Sequence, residues 1–366
     1  ENKIEKISKD LVKIDLKKFV LEIVCLSSYK PLSSYNWAKK IIKIDQISDL
    51  ISQQIKEPAI EKNIRVKLIS KNIKNEISMK VKDQYENSPY PRWEKIALKK
   101  FPDKPVNFFK GLNLNVDQEK IKNWKNIKVL VAGSGTGQHA IATATKYKNS
   151  EVTAIDLSTK SLSYAQRKAD EIGIKNINFI QMDILDLKNY KEKFDIIESV
   201  GVIHHMEDPY LGFENLCNVL KKNGMIMIGL YSEIAREHIK RIRSNIKKIN
   251  IKINNDNLKK YREKLIRENG DDFKLIKQST DFYSLSNFRD LLFHVKEHTF
   301  NIPKINDYIT SLNLKFCGFE NRELISYFKD KHIQKEDIYN LELWNSFELK
   351  NPRIFAGMYQ FWCQKL

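Results

Sequence analysis

Several common features are missing from this chain of 366 residues, and each absence narrows what it can be. It has no uninterrupted apolar stretch of the roughly eighteen residues that a membrane-spanning helix needs, so we expect no membrane span. The cysteines are few and form no Cys-x-x-Cys pair, which argues against metal sites and disulfide frameworks and favours a reduced setting. They are Cys25, Cys217, Cys317 and Cys363.

The first residues lack the pattern of a secretion signal. Residues 1–10, ENKIEKISKD, are polar and charged, without the basic and then apolar order of an export segment. Because the chain begins with Glu and not Met, the sequence leaves open whether a signal or a whole domain preceded it. Together with the scattered cysteines, this composition predicts a cytoplasmic protein.

Glycine is absent from the first eighty residues, and apolar residues recur there at helical spacing. We therefore predict a helical N-terminal region over residues 1–80. Residues 81–125, which we call the aromatic entry segment, begin with VKDQYENSPYPRWEK. Pro89 and Pro91 impose an extended path on this segment and end the helical pattern.

Acidic residues are too few to balance the basic ones, and the formal net charge is +18. Clustered Lys and Arg bind phosphates, so the excess admits a nucleic-acid partner. However, Lys, Ile and Asn are abundant along the whole chain, as a compositionally biased genome would produce everywhere. The excess is densest in residues 236–268, where a solvated helical face accounts for it, and we predict no nucleic-acid partner.

A regular alternation of short apolar runs and helical segments starts at Asn126. The runs IKVLVA, EVTAIDLS, INFIQMD, FDIIESV and MIMIGLYS are typical of strands, and a Lys-Lys-Asn-Gly turn precedes the last of them. This alternation predicts an α/β fold with a parallel sheet covered on both faces. We assign residues 126–232 to this core, 233–301 to a basic helical insertion, and 302–366 to the end of the sheet, with a second insertion at 321–353.

The scarce glycines include a cluster in VAGSGTGQ, namely Gly133, Gly135 and Gly137. They permit a tight turn after the first core strand and a close approach of the backbone to a ligand. A dinucleotide site has the spacing Gly-x-Gly-x-x-Gly, whereas Gln138 stands here at the third glycine position, which weakens the pyrophosphate alternative. Asp156, at the end of the next strand, fits the ribose hydroxyls of either a dinucleotide or a sulfonium cofactor.

Two further motifs distinguish these ligands. The third strand ends in Gln-Met-Asp, where Asp183 is placed to accept the exocyclic amine of an adenine, and the fourth runs into VGVIHHMEDP. Together with VAGSGTGQ and the acidic end of TAIDLS, these motifs resemble the class I S-adenosylmethionine-dependent methyltransferases. The resemblance implies a Rossmann-like, seven-stranded sheet with a helical N-terminal extension and helical insertions, and S-adenosylmethionine as the cofactor.

The same resemblance implies which residues contact the cofactor. The glycines approach its methionine part, Asp156 its ribose and Asp183 its adenine, and Arg92 is placed to pair with its carboxylate. The complete predicted set is Gly133, Ser134, Gly135, Gly137, Gln138, Asp156, Leu157, Asp183, Ile184, Ser199, Tyr85, Arg92 and Trp93.

A narrower resemblance rests on QYENSPYPRW before the core, DLLFHVKEHTFNIPKI after it and AGMYQFWCQK at the end. These segments are similar to a bacterial methyltransferase family that is often joined to tetratricopeptide repeats. The aromatic motif is also similar to that of the lysine methyltransferases of bacterial outer-membrane proteins. The family as a whole has no single established substrate, so this resemblance implies a reaction without fixing its acceptor.

Catalytic candidates lie after the fourth strand and in the aromatic entry segment: His204, His205 and Tyr90. A histidine at this sheet edge can accept a proton from the acceptor, or it can simply cap the loop. Tyr85, Tyr90 and Trp93 can face the sulfonium or a methylated ammonium, or they can anchor the segment by hydrophobic packing.

His294 and His298 lie four residues apart on a predicted helix, but a third ligand at a useful spacing is missing, so we predict no metal site. The sequence favours a methyltransferase that modifies a protein side chain, with lysine as the candidate. Methylation of a small metabolite or lipid-like acceptor is the alternative, and a module that binds nucleotide or nucleic acid without turnover is a second one. A homodimer is compatible with the sequence.

Overall fold

The computed structural model describes residues 16–91, 93–330 and 334–366. Of the predicted site residues, Arg92 lies outside the described residues. The chain divides into two compact units, one that ends at Leu68 and one that runs from Ile69 to Leu366. The finer domain boundaries stay predictions from the sequence.

The first unit is helical, in keeping with its lack of glycine and the spacing of its apolar residues. Its helices are α1 (Val20–Tyr29), α2 (Ser48–Ile51) and α3 (Glu57–Lys67), with a π-helical turn at Ser52–Lys56. Ile23, Ile41 and Ile51 are fully buried in a small apolar cluster. Gln54 adds a polar contact, because its side-chain oxygen accepts a hydrogen bond from the backbone N–H of Leu32 at 2.9 Å.

The second unit is built on a sheet of eight strands. They are β1 (Ile69–Ser70), β2 (Ile127–Ala132), β3 (Ser150–Asp156), β4 (Ile177–Gln181), β5 (Phe194–Val200), β6 (Leu220–Leu230), β7 (Leu314–Phe319) and β8 (Tyr359–Lys365). Their order is β1-β4-β3-β2-β5-β6-β8-β7. All pairs from β1 to β6 are parallel, and β8 runs antiparallel to β6 and β7. The predicted α/β fold is confirmed, and β1 is an addition to the seven predicted strands.

Helices precede or connect the parallel strands. They are α4 (Glu76–Asn87), α5 (Pro105–Gly111), α6 (Gln118–Ile121), α7 (Gln138–Ala144), α8 (Thr159–Ile172) and α9 (Pro209–Val219). Local sequence sets their ends. The Ser158 hydroxyl caps α8 by accepting from the N–H of Ser161 at 3.1 Å, and Gly173 ends the helix with a φ of 80°. Asp208 caps α9 in the same way, with Pro209 in its first turn.

The basic segment after β6 folds into helices with an apolar core of their own. These are α10 (Glu237–Ile249), α11 (Asn255–Arg267), α12 (Asp271–Ile276) and α13 (Leu285–Phe293). Leu258 and Phe288 are buried in this cluster, which is separate from the larger apolar cluster of the sheet. Part of the positive charge is paired, since Arg243 lies 3.0 Å from a carboxylate oxygen of Glu297. We call residues 233–300 the helical insertion.

Three helices complete the chain around β7 and β8. They are α14 (Ile302–Ser311), α15 (Arg322–Lys329) and α16 (Leu341–Lys350). Phe328 of α15 stacks on Trp344 of α16, with ring centroids 3.8 Å apart. Among the described residues, no helix has both the length and the apolar character needed to cross a membrane.

Two local predictions are wrong. The Lys-Lys-Asn-Gly segment, predicted as a turn, belongs to β6, which starts at Leu220. There, Asn223 adopts a φ of 59° and the register with β5 shifts, so the strand absorbs the segment as an irregularity. His294 and His298 do not share a helix, because α13 ends at Phe293 and the backbone N–H of Val295 donates to Gln84 Oε1 of α4.

Candidate functional site

A cavity of about 270 Å³ opens at the carboxyl ends of the central strands. In open parallel sheets, ligands bind at this edge where the strand order reverses, and β2 lies at that point here, between β3 and β5. Most of the predicted site residues come together in this cavity. Those that line it are Tyr85, Tyr90, Gly133, Ser134, Gly135, Gln138, Asp156, Leu157, Asp183, Ile184 and His205.

The glycine turn between β2 and α7 is fixed to the end of β3. The N–H of Gly135 donates to Asp156 Oδ2 at 2.8 Å, and the N–H of Ser158 donates to Asp156 Oδ1 at 2.9 Å. A carboxylate has about four lone-pair sites, so both oxygens keep the capacity to accept from a pair of hydroxyls. Burial raises the pKa of Asp156 from its ordinary value. Its position and acceptor capacity suit a ribose.

The glycines leave no room for side chains. Gly133 has a φ of 75°, and a Cβ there would lie 2.3 Å from Val202 Cγ2. Gly135 has a φ of 53°, and its Cβ would lie 2.9 Å from the carbonyl oxygen of Tyr90. Gly135 therefore lets the aromatic entry segment pass directly over the turn, a conformation that other residues adopt only under strain.

An unpaired polar atom marks the part of the cavity next to this turn. Ser134 Oγ is buried and makes no hydrogen bond to any described residue, although Ser134 lines the cavity. Buried hydroxyls are normally satisfied, so this atom suits a polar ligand. The carboxylate or amino group of a methionine moiety is such a ligand, and the glycine turn leaves space beside it.

The adenine side of the cavity is formed by the residues after β4. Asp183 Oδ1 accepts from the N–H of Leu185 at 3.0 Å, which holds the carboxylate at the start of a 3₁₀ turn, Ile184–Asn189. Burial raises the pKa of Asp183. Met182, Ile184 and Leu157 also line the cavity and supply apolar surface for a flat ring, while the carboxylate can accept from an exocyclic amine.

The aromatic residues of the entry segment have different roles. Tyr85 and Tyr90 line the cavity, whereas Trp93 does not. Trp93 is buried, donates from Nε1 to the carbonyl of Thr136 at 3.0 Å and packs edge-on against Tyr164. Thr136 in turn donates from its hydroxyl to the carbonyl of Pro91. Trp93 therefore anchors the entry segment by packing and does not face the cavity. These bonds hold the segment against the glycine turn.

The two histidines after β5 are also placed differently. His205 lines the cavity, and its Nδ1 lies 2.8 Å from the carbonyl oxygen of Lys296. Because a carbonyl only accepts, Nδ1 carries the proton and Nε2 keeps its lone pair in the neutral ring. Burial lowers the pKa of His205 well below its ordinary value, so the ring is neutral near pH 7. His204 is fully buried against Tyr231, with ring centroids 4.1 Å apart, and does not line the cavity.

Two other predicted residues also lie outside the cavity lining. Ser199 on β5 is fully buried, and its hydroxyl makes no hydrogen bond to a described residue. Gly137 has a φ of 84° and packs against Ala165 of α8, so its close contact is with a helix. The roles of all these residues toward a cofactor stay predictions.

The cavity also contains residues that the sequence did not single out, chiefly Asp290 and Tyr231. Asp290 lies on α13 and is buried, and Tyr85 donates to its Oδ1 at 2.8 Å. Burial raises the pKa of Asp290 to about 6. A signal was present in the sequence, since Asp290 is an acidic residue within the apolar helical stretch FRDLLF.

Comparisons with known proteins agree with this geometry. A family described as a methyltransferase domain matches residues 123–276. An uncharacterized protein of Synechococcus is 27% identical over 245 residues, which cover 62% of this chain and 58% of that protein. A ubiquinone biosynthesis O-methyltransferase of Actinobacillus pleuropneumoniae is 27% identical over 141 residues, which cover 37% of this chain and 59% of that protein.

A solved structure gives the same picture of the fold. PKMT2 from Rickettsia typhi, in complex with AdoHcy, superposes with a TM-score of 0.52 at 18% identity, covering 74% of this chain and 55% of that one. The chain thus spans less than two thirds of the length of each of these relatives. The predicted class I, Rossmann-like fold is confirmed. The methyltransferase-domain match and the AdoHcy-bound structure agree with S-adenosylmethionine, the cofactor predicted from the sequence.

Proposed function

We propose that this chain is an S-adenosylmethionine-dependent methyltransferase that modifies a protein side chain, with lysine as the acceptor. The observation that carries the proposal is the composition of one cavity. Its lining includes Asp156, Asp183 and the glycine turn, which fit a nucleoside cofactor, and also His205 and two tyrosines of the entry segment. A cofactor and a polar acceptor would therefore meet in the same cavity.

The cofactor, when bound, supplies an electrophilic methyl group on a sulfonium. The protein's task is then to align the acceptor and to exclude water, and positioning of this kind accounts for a large share of catalysis. We assign the ribose to Asp156, the adenine to Asp183 and the methionine part to Ser134 and the glycine turn. His205 Nε2 is the candidate that accepts a proton from the acceptor nitrogen, because its lone pair is free in the neutral ring.

The narrower family assignment is part of this proposal. Tyr85 and Tyr90 belong to QYENSPYPRW, the segment that resembles the bacterial family often joined to tetratricopeptide repeats, and both line the cavity. PKMT2 from Rickettsia typhi has the same fold. These points support a protein acceptor for the present chain. A cytoplasmic location and a homodimeric state remain predictions from the sequence.

A small-molecule acceptor is the second candidate. The relative from Actinobacillus pleuropneumoniae is named for ubiquinone biosynthesis, and the cavity is of a size that suits a compact acceptor. A nucleic-acid-binding module without turnover has less support. Arg243 on the basic helix α10 is paired with Glu297, and Arg241 is paired with Asp272, so these cations are partly neutralised.

Cofactor binding is the first test, measured by calorimetric titration of S-adenosylmethionine. We expect the parent to bind and Asp183→Ala to lose about tenfold or more in affinity, a free-energy change of about 1.4 kcal/mol or more. Asp186→Ala is the matched control, because Asp186 lies in the same 3₁₀ turn and does not line the cavity. Absence of binding by the parent would overturn the proposed function.

The acceptor class is tested by incubating the protein with radioactive S-adenosylmethionine and fractions of a bacterial extract. Label in a protease-sensitive band supports a protein acceptor, and acid hydrolysis of that band then identifies the methylated residue. Label that appears only in small, protease-resistant material would replace the first candidate with the second. Steeply salt-dependent nucleic-acid binding without any transfer would favour the non-catalytic module.

A further inference from the structure

The cavity has an unbalanced set of charged side chains. Among the described residues that line it, Asp156, Asp183 and Asp290 are acidic, and none is a lysine or an arginine. The first two lie at the ends of β3 and β4 and suit the nucleoside. Asp290 comes from α13 of the helical insertion, and the proposed function assigns it no ligand.

Among the described residues, hydrogen-bond donors contact only one of the two carboxylate oxygens of Asp290. The hydroxyl of Tyr85 donates to Oδ1 at 2.8 Å, and Gln84 Nε2 lies 3.4 Å from the same oxygen. No described residue donates to Oδ2. An ionised carboxylate in a buried site seeks further donors, so Oδ2 is available to a ligand that carries N–H groups.

The hydroxyl of Tyr85 accepts a hydrogen bond from His294 and donates its own proton to Asp290. His294 Nδ1 accepts from the backbone N–H of Lys296 at 3.2 Å, so in the neutral ring the proton lies on Nε2. That nitrogen is 3.2 Å from the hydroxyl oxygen of Tyr85 and donates to it. The chain of donors runs from His294 through Tyr85 to Asp290, and it stabilises the carboxylate in its charged form.

Three tyrosines line the cavity together with Asp290. They are Tyr85, Tyr90 and Tyr231, and tyrosine rings attract cations. Arg236 of the insertion forms a bidentate pair with Glu297 at 3.0 and 3.2 Å. Its guanidinium lies 3.6 Å from the centroid of the Tyr231 ring, so the rings of Tyr85 and Tyr90 are the ones available to a cationic ligand. A carboxylate beside tyrosines, with no basic residue among the described lining, is complementary to a positively charged ligand and repels a carboxylate or phosphate.

We propose that Asp290, Tyr85 and Tyr90 form the acceptor subsite of the cavity and that this subsite receives the acceptor's amine as an alkylammonium group. The proposal rests on the proposed function and deepens it by assigning the residues that hold this amine. Asp290 is a specificity-determining residue in this arrangement, because it contacts the acceptor's charge and not the cofactor.

Binding of a minimal probe tests the subsite. n-Butylammonium chloride, which resembles the end of a lysine side chain, and the neutral analogue n-butanol are titrated by NMR at pH 7.5, with and without S-adenosylhomocysteine. We expect the parent to prefer the amine, and we expect Asp290→Asn to weaken amine binding by about tenfold and to leave butanol binding unchanged. Asparagine keeps an acceptor for Tyr85, so the variant removes the charge and little else.

Asp271→Asn is the matched control. Asp271 is an exposed residue of α12 in the same helical insertion and does not line the cavity, so we expect this substitution to change amine affinity less than threefold. The proposal is overturned if Asp290→Asn binds the amine as the parent does, or if the parent binds butanol equally well.

Titration of S-adenosylhomocysteine separates this proposal from the proposed function. We expect the parent and Asp290→Asn to bind it equally. A selective loss in Asp290→Asn would assign the carboxylate to the amino group of the cofactor and would overturn the acceptor subsite while leaving the methyltransferase proposal intact. If the parent itself fails to bind S-adenosylhomocysteine, the proposed function fails, and the titrations without cofactor still decide whether Asp290 binds an amine.

Discussion

His205 and His294 stack face to face, with ring centroids 3.6 Å apart and planes inclined by 22°. His205 follows β5 and His294 follows α13, so the contact joins the sheet to the helical insertion. Burial lowers the pKa of both rings well below the ordinary value; charge repulsion from His204 further lowers the pKa of His205, and repulsion from His205 further lowers that of His294. The folded protein therefore favours the neutral form of both rings.

From this contact we predict that the folded protein loses stability in mild acid. The unfolded chain takes up protons on these rings near pH 6.5, and the folded chain resists doing so, so the free energy of unfolding falls as the pH drops below that value. Urea denaturation at pH 7.5 and 5.5 measures the fall. His294→Gln, which keeps a donor for Tyr85, should show a smaller fall than the parent, and an equal fall in both proteins would contradict the prediction.

Asp290 predicts the opposite pH dependence. Its folded pKa of about 6 lies above the ordinary value for an aspartate, so the folded state binds the proton more tightly and the carboxylate destabilises the fold as the pH rises from 4 to 7. Asp290→Asn removes this cost. Its stability relative to the parent should therefore increase across that range by up to about 3 kcal/mol. If the free energies of unfolding of the parent and of Asp290→Asn differ by the same amount at every pH, the prediction is wrong.

Gly135 predicts a specific sensitivity of the glycine turn. Gly135→Ala places a methyl group 2.9 Å from the carbonyl of Tyr90 in a backbone conformation with φ of 53°. We expect a loss of about 1–3 kcal/mol in the free energy of unfolding and weaker S-adenosylhomocysteine binding. Gly111→Ala is the control, since no atom lies within 4 Å of its Cβ. Similar effects of the two substitutions would rule out the close approach as the cause.

His205 predicts a separation of catalysis from binding. Asparagine at this position can still donate to the carbonyl of Lys296 but lacks the lone pair of Nε2. We expect His205→Asn to lower kcat by about 10²- to 10⁴-fold, with little change in S-adenosylhomocysteine affinity. His298→Asn, outside the cavity lining, should retain the parental kcat. Full activity of His205→Asn would show that His205 only shapes the loop.

The sequence brought the sheet-side residues of the cavity together because local patterns determine their positions. The apolar runs of β2 and β3, the glycine turn and the carboxylate at each strand end lie close in sequence, and parallel topology brings strand ends to one edge. Asp156 and Asp183 could therefore be named in advance. Ser199 does not line the cavity, whereas the next residue, Val200, does, because successive side chains of a strand point to opposite faces.

The insertion side could not be predicted in the same way. Tyr85 and Asp290 are separated by 205 positions, and only the packing of α13 against α4 brings them together. His294 looked like a helical residue because the periodicity of its neighbours continues past Phe293, yet the Val295 N–H bonds to Gln84 and ends the pattern. Long-range contacts of this kind override local propensity.

The apolar cluster of the helical insertion is distinct from the one that supports the sheet. Leu258 and Phe288 hold α11 and α13 together whether or not the strand ends change. Under the proposed function, the acceptor subsite on α13 and the cofactor side at the strand ends therefore rest on different apolar clusters.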